Sequence, residues 1–146
     1  MLFAALLVAQ TATCAATDAA LPAPLAAWTL VPNGELAPGK AVMRPTLEPA
    51  AVVPALPAGA KPGRAMSTGF TVTVPGTYGI ALDEPGWIDV TPGGQATPLA
   101  STAHGHGPDC STIRKIVRYH LEPGFYRVTV TGLQAAMAKL MVVEGE

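Results

Sequence analysis

The sequence has 146 residues, about one domain's worth of chain. Hydrophobic residues make up 49% of it and charged residues 13%, a composition too apolar for an intrinsically disordered protein. Nine Lys and Arg stand against ten Asp and Glu, so the chain lacks the basic excess of nucleic-acid-binding proteins, and we expect no nucleic-acid partner. Fifteen Gly and fifteen Pro favour many turns over a helical bundle.

The N-terminus has the pattern of an export signal. Residues 1–9 (MLFAALLVA) form an uncharged apolar run, and residues 10–16 (QTATCAA) supply the small residues of a cleavage zone, although no Lys or Arg precedes the run. The run is shorter than the roughly 20 apolar residues that span a bilayer. We predict a signal peptide over residues 1–16, a periplasmic or secreted location and no transmembrane segment in the mature chain. The alternative is a buried strand or helix of the domain.

The fate of this segment decides the state of the two cysteines. Cleavage after Ala16 would remove Cys14 and leave Cys110 as a single thiol, which in an oxidising compartment is buried, metal-bound or paired with another molecule. If the segment is retained, a disulfide between Cys14 and Cys110 becomes possible. The sequence leaves both states open.

Residues 17–64 form an Ala/Pro-rich segment with few aromatic residues, and part of it is expected to be irregular. Two pieces are predicted to be ordered, residues 28–31 (WTLV) and residues 40–46 (KAVMRPT). Pro45 and Pro49 restrict any strand here to a sheet edge or a short piece.

Residues 65–146 carry the pattern of short β-strands. Apolar and polar residues alternate over 70–74 (FTVTV), and Pro-Gly turns separate this stretch from later ones. Further predicted strands cover residues 78–82, 87–90, 113–121, 126–130 and 139–143. Short strands at this spacing predict an all-β fold, a single antiparallel β-sandwich of jelly-roll-like form.

A turn motif occurs twice in this region. Pro75-Gly76-Thr77-Tyr78 matches Pro123-Gly124-Phe125-Tyr126, and an aliphatic residue follows two positions after each tyrosine. The tyrosine ring can pack inward while its hydroxyl stays in water. With these hairpins, residues 69–143 resemble small secreted β-sandwiches such as the bacterial pre-peptidase C-terminal domains and carbohydrate-binding jelly rolls. The resemblance implies an architecture and no particular activity.

The chain's metal-ligating residue types cluster in residues 101–111 (STAHGHGPDCS). His104, His106, Asp109 and Cys110 fall close together, and the intervening glycines let their side chains converge. Imidazole and thiolate ligands suit copper or zinc, and His120 could complete a set of four ligands. The alternative is a solvated loop in which Asp109 caps a turn and Cys110 is buried.

Basic residues follow this loop. Arg114, Lys115 and Arg118 lie on the next predicted strand, and Arg127 is expected beside them on the paired hairpin. Such a patch predicts binding of a phosphate or carboxylate group. The alternative is the ordinary charged outer face of an antiparallel sheet.

Two further functions match parts of the sequence. Trp28 and Trp87 would suit a sugar-stacking platform, although a tryptophan in a sandwich is more often core. The H-x-H pattern resembles the iron site of cupin dioxygenases, in which a glutamate and a later histidine complete the site. Asp109 stands near the glutamate position, but no histidine follows Pro123-Gly124, and no catalytic residues are predicted.

The sequence therefore favours an exported binding or accessory protein that holds copper or zinc in the loop of residues 104–110. The second hypothesis is a metal-free module that binds carbohydrate or a cell-envelope component. The third is a metal-dependent enzyme similar to a dioxygenase.

Overall fold

The computed structural model of the protein describes residues 13–145. Most of the predicted signal peptide, residues 1–12, lies outside the described residues. Two 3-10 helices and eight strands make up this part of the chain. The helices are Ala23–Thr29 and Pro49–Ala51; the strands are β1 (Ala41–Pro45), β2 (Arg64–Val72), β3 (Gly76–Leu82), β4 (Trp87–Pro92), β5 (Ala103–Gly105), β6 (Lys115–Leu121), β7 (Gly124–Leu133) and β8 (Met137–Glu144).

The strands form two antiparallel sheets that pack face to face. The five-stranded sheet has the order β1-β8-β3-β6-β5, and the three-stranded sheet has the order β2-β7-β4. The predicted single-domain β-sandwich is confirmed. As the prolines predicted, β1 lies at a sheet edge, where Pro45 need not donate to a ladder. No helix among residues 13–145 is long and apolar enough to cross a membrane.

The main core lies between the sheets, and alternate residues along each strand contribute to it. Val117, Tyr119 and Leu121 on β6 face Val128 and Val130 on β7, and all five are buried. The alternate residues of each strand point away from this core. The alternation read from the sequence therefore places the buried side chains of these strands correctly.

The N-terminal segment forms a layer that the sequence did not predict. Residues 14–29, here called the strap, cross the outer face of the five-stranded sheet, where Leu25 and Trp28 pack with Ile116 and Met141. Trp28 is completely buried and its Nε1 donates to Thr112 Oγ1 at 2.9 Å. Trp28 is thus a core residue, and the proposal that it contributes to a sugar platform is wrong.

A disulfide between Cys14 and Cys110 fixes the start of the strap, so the second of the two cysteine states is the one in the structure. The backbone N–H of Asp18 donates to the Cys110 carbonyl at 2.8 Å. The Asp18 carboxylate accepts hydrogen bonds from the backbone N–H and the hydroxyl of Thr112, at 2.7 and 2.6 Å. Because Thr112 also holds Trp28, these contacts tie the strap to the loop before β6.

Candidate functional site

The two loop histidines face different sides of the five-stranded sheet. His104 pairs with Val117 in the β5–β6 ladder, and paired residues share a sheet face, so His104 lies on the side of the core. His106 follows the end of β5 and lines a small cavity of about 250 Å³ on the outer side, together with Leu25, Ile116 and Arg118. The sheet therefore lies between the two imidazoles.

The other predicted metal ligands are also separated. The Cys110 sulfur is bonded to Cys14 and is not a thiolate. Asp109 is exposed, and His120 lies near the end of β6, where its Nε2 is 3.0 Å from Glu122 Oε1. Among residues 13–145 no three His, Cys, Asp or Glu side chains form a group that could hold a metal ion. The copper or zinc site remains a prediction. The separation of its candidate ligands does not favour it.

The residues of the predicted basic patch also lie on different faces of the sandwich. Arg118 lies on the outer face of the five-stranded sheet and donates to the Gly145 carbonyl at 2.8 Å, whereas Lys115 faces the opposite side. Arg114 is exposed just before β6. Arg127 lies on β7 in the three-stranded sheet, so its expected position beside Arg118 is wrong. The turn between β6 and β7 carries the chain from one sheet to the other.

A groove of about 550 Å³ opens where the two sheets end side by side. β4 is the edge of one sheet and β5 is the edge of the other, and β5 has only three residues, so the sandwich stays open between them. We call this the edge groove. Its lining residues are Trp87, Ile88, Asp89, Leu99, Ala100, Ser101, His104, Lys115, Val117 and Tyr119.

The inner part of the edge groove is mostly apolar. Leu99 packs against the core, and Val117 is buried. The Tyr119 hydroxyl donates to the Ile88 carbonyl at 3.1 Å, which joins β6 of one sheet to β4 of the other. Burial, with a smaller contribution from the Asp89 charge, raises the pKa of Tyr119, so this hydroxyl keeps its proton.

The rim of the edge groove carries an exposed indole and a carboxylate. Trp87 is 47% exposed, and its Nε1 donates to Asp89 Oδ1 at 3.2 Å. Lys61 Nζ lies 4.6 Å from the centre of the Trp87 ring, which is a cation–π contact. Burial raises the pKa of Asp89 despite this hydrogen bond and the Lys61 charge.

An amine lies close to this pair, at the start of β4. Lys115 Nζ donates to the Gly86 carbonyl at 2.7 Å, and burial lowers the pKa of the lysine. Asp89 and Lys115 are both partly removed from water. The lost hydration of such charged groups lowers the stability of the fold unless other contacts replace it. Titratable groups perturbed in this way are concentrated at functional sites.

Sequence reasoning found some of these residues but not the groove. His104 was assigned to a metal loop, Lys115 to a basic patch and Trp87 to a sugar platform, as separate features. Asp89 had a usable signal, since the alternation in β4 places it on the same side as Trp87. Tyr119 had none, because its role depends on how two distant strands meet. No protein-family model and no curated protein sequence matches this chain.

Proposed function

We propose that the protein is an exported binding module that holds a sugar residue of a polysaccharide in the edge groove. The observation that supports this most is the combination at one rim of a half-exposed indole, a partly buried carboxylate and a partly buried amine. A ligand that replaces the lost hydration of the two charged groups would explain why they lie there.

The chemistry of the groove suits a hydroxyl-rich ring. A pyranose has an apolar face that packs on an aromatic ring, and hydroxyls around it that both donate and accept hydrogen bonds. Trp87 offers the ring, Asp89 accepts and Lys115 donates. Small-molecule sites commonly combine apolar walls with a few such polar groups.

Binding is favoured over catalysis by the contacts in the groove. Ser101, His104 and Asp89 all line it and are the residue types of a nucleophile–base–carboxylate triad. Such a triad acts through hydrogen bonds between its members. Within the described part of the chain no hydrogen bond joins these three, and Asp89 accepts from Trp87 instead.

Export is supported by the disulfide, since disulfides persist in oxidising compartments such as the periplasm or the cell exterior. The apolar run at residues 1–9 fits the same location. Because Cys14 belongs to the folded domain, we place the cleavage before Cys14 rather than after Ala16.

The test is retention of the purified, disulfide-bonded protein on insoluble cellulose, chitin, peptidoglycan and polygalacturonate. We expect the wild type to be retained on at least one, and Trp87→Ala and Asp89→Asn to lower the affinity for it about tenfold or more. His104→Gln should also weaken binding, whereas the matched control His120→Gln, outside the groove, should not. Retention on none of the four polymers, or equal retention of wild type and groove variants, would overturn the proposal.

A further inference from the structure

The ring of Phe125 lies on the outer face of the three-stranded sheet. A Cβ atom placed on Gly69 of the neighbouring strand would fall 2.7 Å from Phe125 Cε2, and one placed on Gly93 would fall 3.1 Å from Cδ1. Two positions without side chains therefore make room for the ring against the backbone. The Phe125 side chain is still half exposed to solvent.

The side chain of Arg127 lies beside this ring. Gly69, which lies under the Phe125 ring, is directly opposite Arg127 in the β2–β7 ladder, so ring and side chain are neighbours on one face. In the part of the chain that the structure describes, the ion pairs are Arg64–Glu48 and His120–Glu122, which leaves Arg127 without a carboxylate partner.

We propose that Phe125 and Arg127 form a second contact site for the polysaccharide and select a sugar that carries a carboxylate, a uronic acid. One face of the sugar would stack on Phe125, and its carboxylate would lie in the plane of the guanidinium, which binds carboxylates through two parallel hydrogen bonds. This inference rests on the proposed function and adds the charge of the ligand to it.

The site lies within reach of the edge groove. Asp89 at the groove rim is opposite Thr129 on β7, and Phe125 is four residues along the same strand, about 13 Å at the rise of a β-strand. Thr91 and Arg127 lie opposite each other between these points. Lys61 adds a second cation at the Trp87 end. An oligosaccharide that places a carboxylate at Arg127 and a hydroxyl at Asp89 would therefore contact both sites.

The test is calorimetric titration with hexagalacturonate and with its methyl ester, which has the same backbone without the charges. We expect the wild type to bind the acid at least tenfold more tightly than the ester at low salt, with a smaller difference at high salt. Arg127→Gln should bring the two affinities close together. Phe125→Leu, which keeps an apolar side chain but removes the aromatic face, should weaken binding of both.

The matched control is Arg114→Gln, an exposed arginine away from this face, which should change neither affinity. Equal binding of acid and ester by the wild type, or a preference that Arg127→Gln does not reduce, would overturn the inference. If another polymer binds through Trp87 while hexagalacturonate does not bind, this inference falls and the edge-groove proposal stands. If none of the polymers and neither hexasaccharide binds, both fall.

Discussion

His104 and His106 lie on opposite faces of the five-stranded sheet although a single residue separates them. In a continuous strand, residues two apart share a face. Here β5 ends at Gly105, so the alternation stops between the histidines and the chain turns before His106. The H-x-H pattern therefore supplies one imidazole to the edge groove and one to the outer cavity.

This separation predicts how the loop responds to metal. A copper or zinc site needs several ligands around one ion, each within about 2.0–2.3 Å. We expect elemental analysis of the purified protein to give the same substoichiometric copper and zinc content for the wild type and for His104→Ala/His106→Ala. One ion per chain, lost in the double variant, would instead support the metal-binding hypothesis and require the loop to rearrange.

The disulfide predicts a large effect of reduction on stability. The bond joins residues separated by 96 positions, and closing so long a loop restricts the unfolded chain strongly. Cys14→Ser/Cys110→Ser should lower the free energy of unfolding by about 2–4 kcal/mol. The measurement is urea unfolding of wild type and variant with and without reductant. Reductant should destabilise only the wild type, and an equal response of both would contradict the assignment.

The same bond predicts where an exported chain is processed. Cys14 must be present in the mature protein for the strap to be fixed to Cys110. The intact mass of the protein recovered from the periplasm or the medium should therefore include Cys14, and alkylation without prior reduction should add no mass. A mass that starts at Thr17, with one alkylated thiol, would show that the cleavage lies after Ala16.

The sandwich followed from the sequence because its strands obey a period of two, whereas three other features had no local signal. The strap is Ala/Pro-rich and has no amphipathic period, so its packing on Ile116 and Met141 depends on tertiary contacts. The assignment of Arg127 to the second sheet depends on the direction of the turn after Glu122. The edge groove is lined by residues of β4, β5 and β6, which are distant in the sequence and are brought together only by folding.

The repeated Pro-Gly-x-Tyr motif predicts two equivalent stabilising contacts. The Tyr78 hydroxyl donates to the Val74 carbonyl at 2.6 Å, and the Tyr126 hydroxyl donates to the Glu122 carbonyl at 2.7 Å, in each case four residues upstream. Tyr→Phe at either position should cost about 1 kcal/mol, the usual net contribution of such a bond.

The two tyrosines lie in different sheets, so the effects should add in the double variant. Denaturant unfolding of the two single variants and of the double variant measures this. A cost at one tyrosine only would mean that the motif does not have one structural role.

We expect the carboxylate of Asp89 to favour ligand binding in the edge groove but to lower the stability of the fold at neutral pH. Its pKa is raised by burial, so the folded state holds the proton more tightly than the unfolded state. The stability that this provides is fully present below the unfolded pKa of about 3.9 and is lost as the pH rises through the folded pKa.

Asp89→Asn tests this, because the asparagine keeps an acceptor for Trp87 Nε1 but has no charge to desolvate. Its melting temperature should exceed that of the wild type at pH 7 by a small margin, and the margin should close towards pH 3. Asp109→Asn, at an exposed aspartate outside the groove, is the control. Lower stability of Asp89→Asn at pH 7 would mean that the carboxylate stabilises the fold, and the groove would then lose its strongest sign of a binding function.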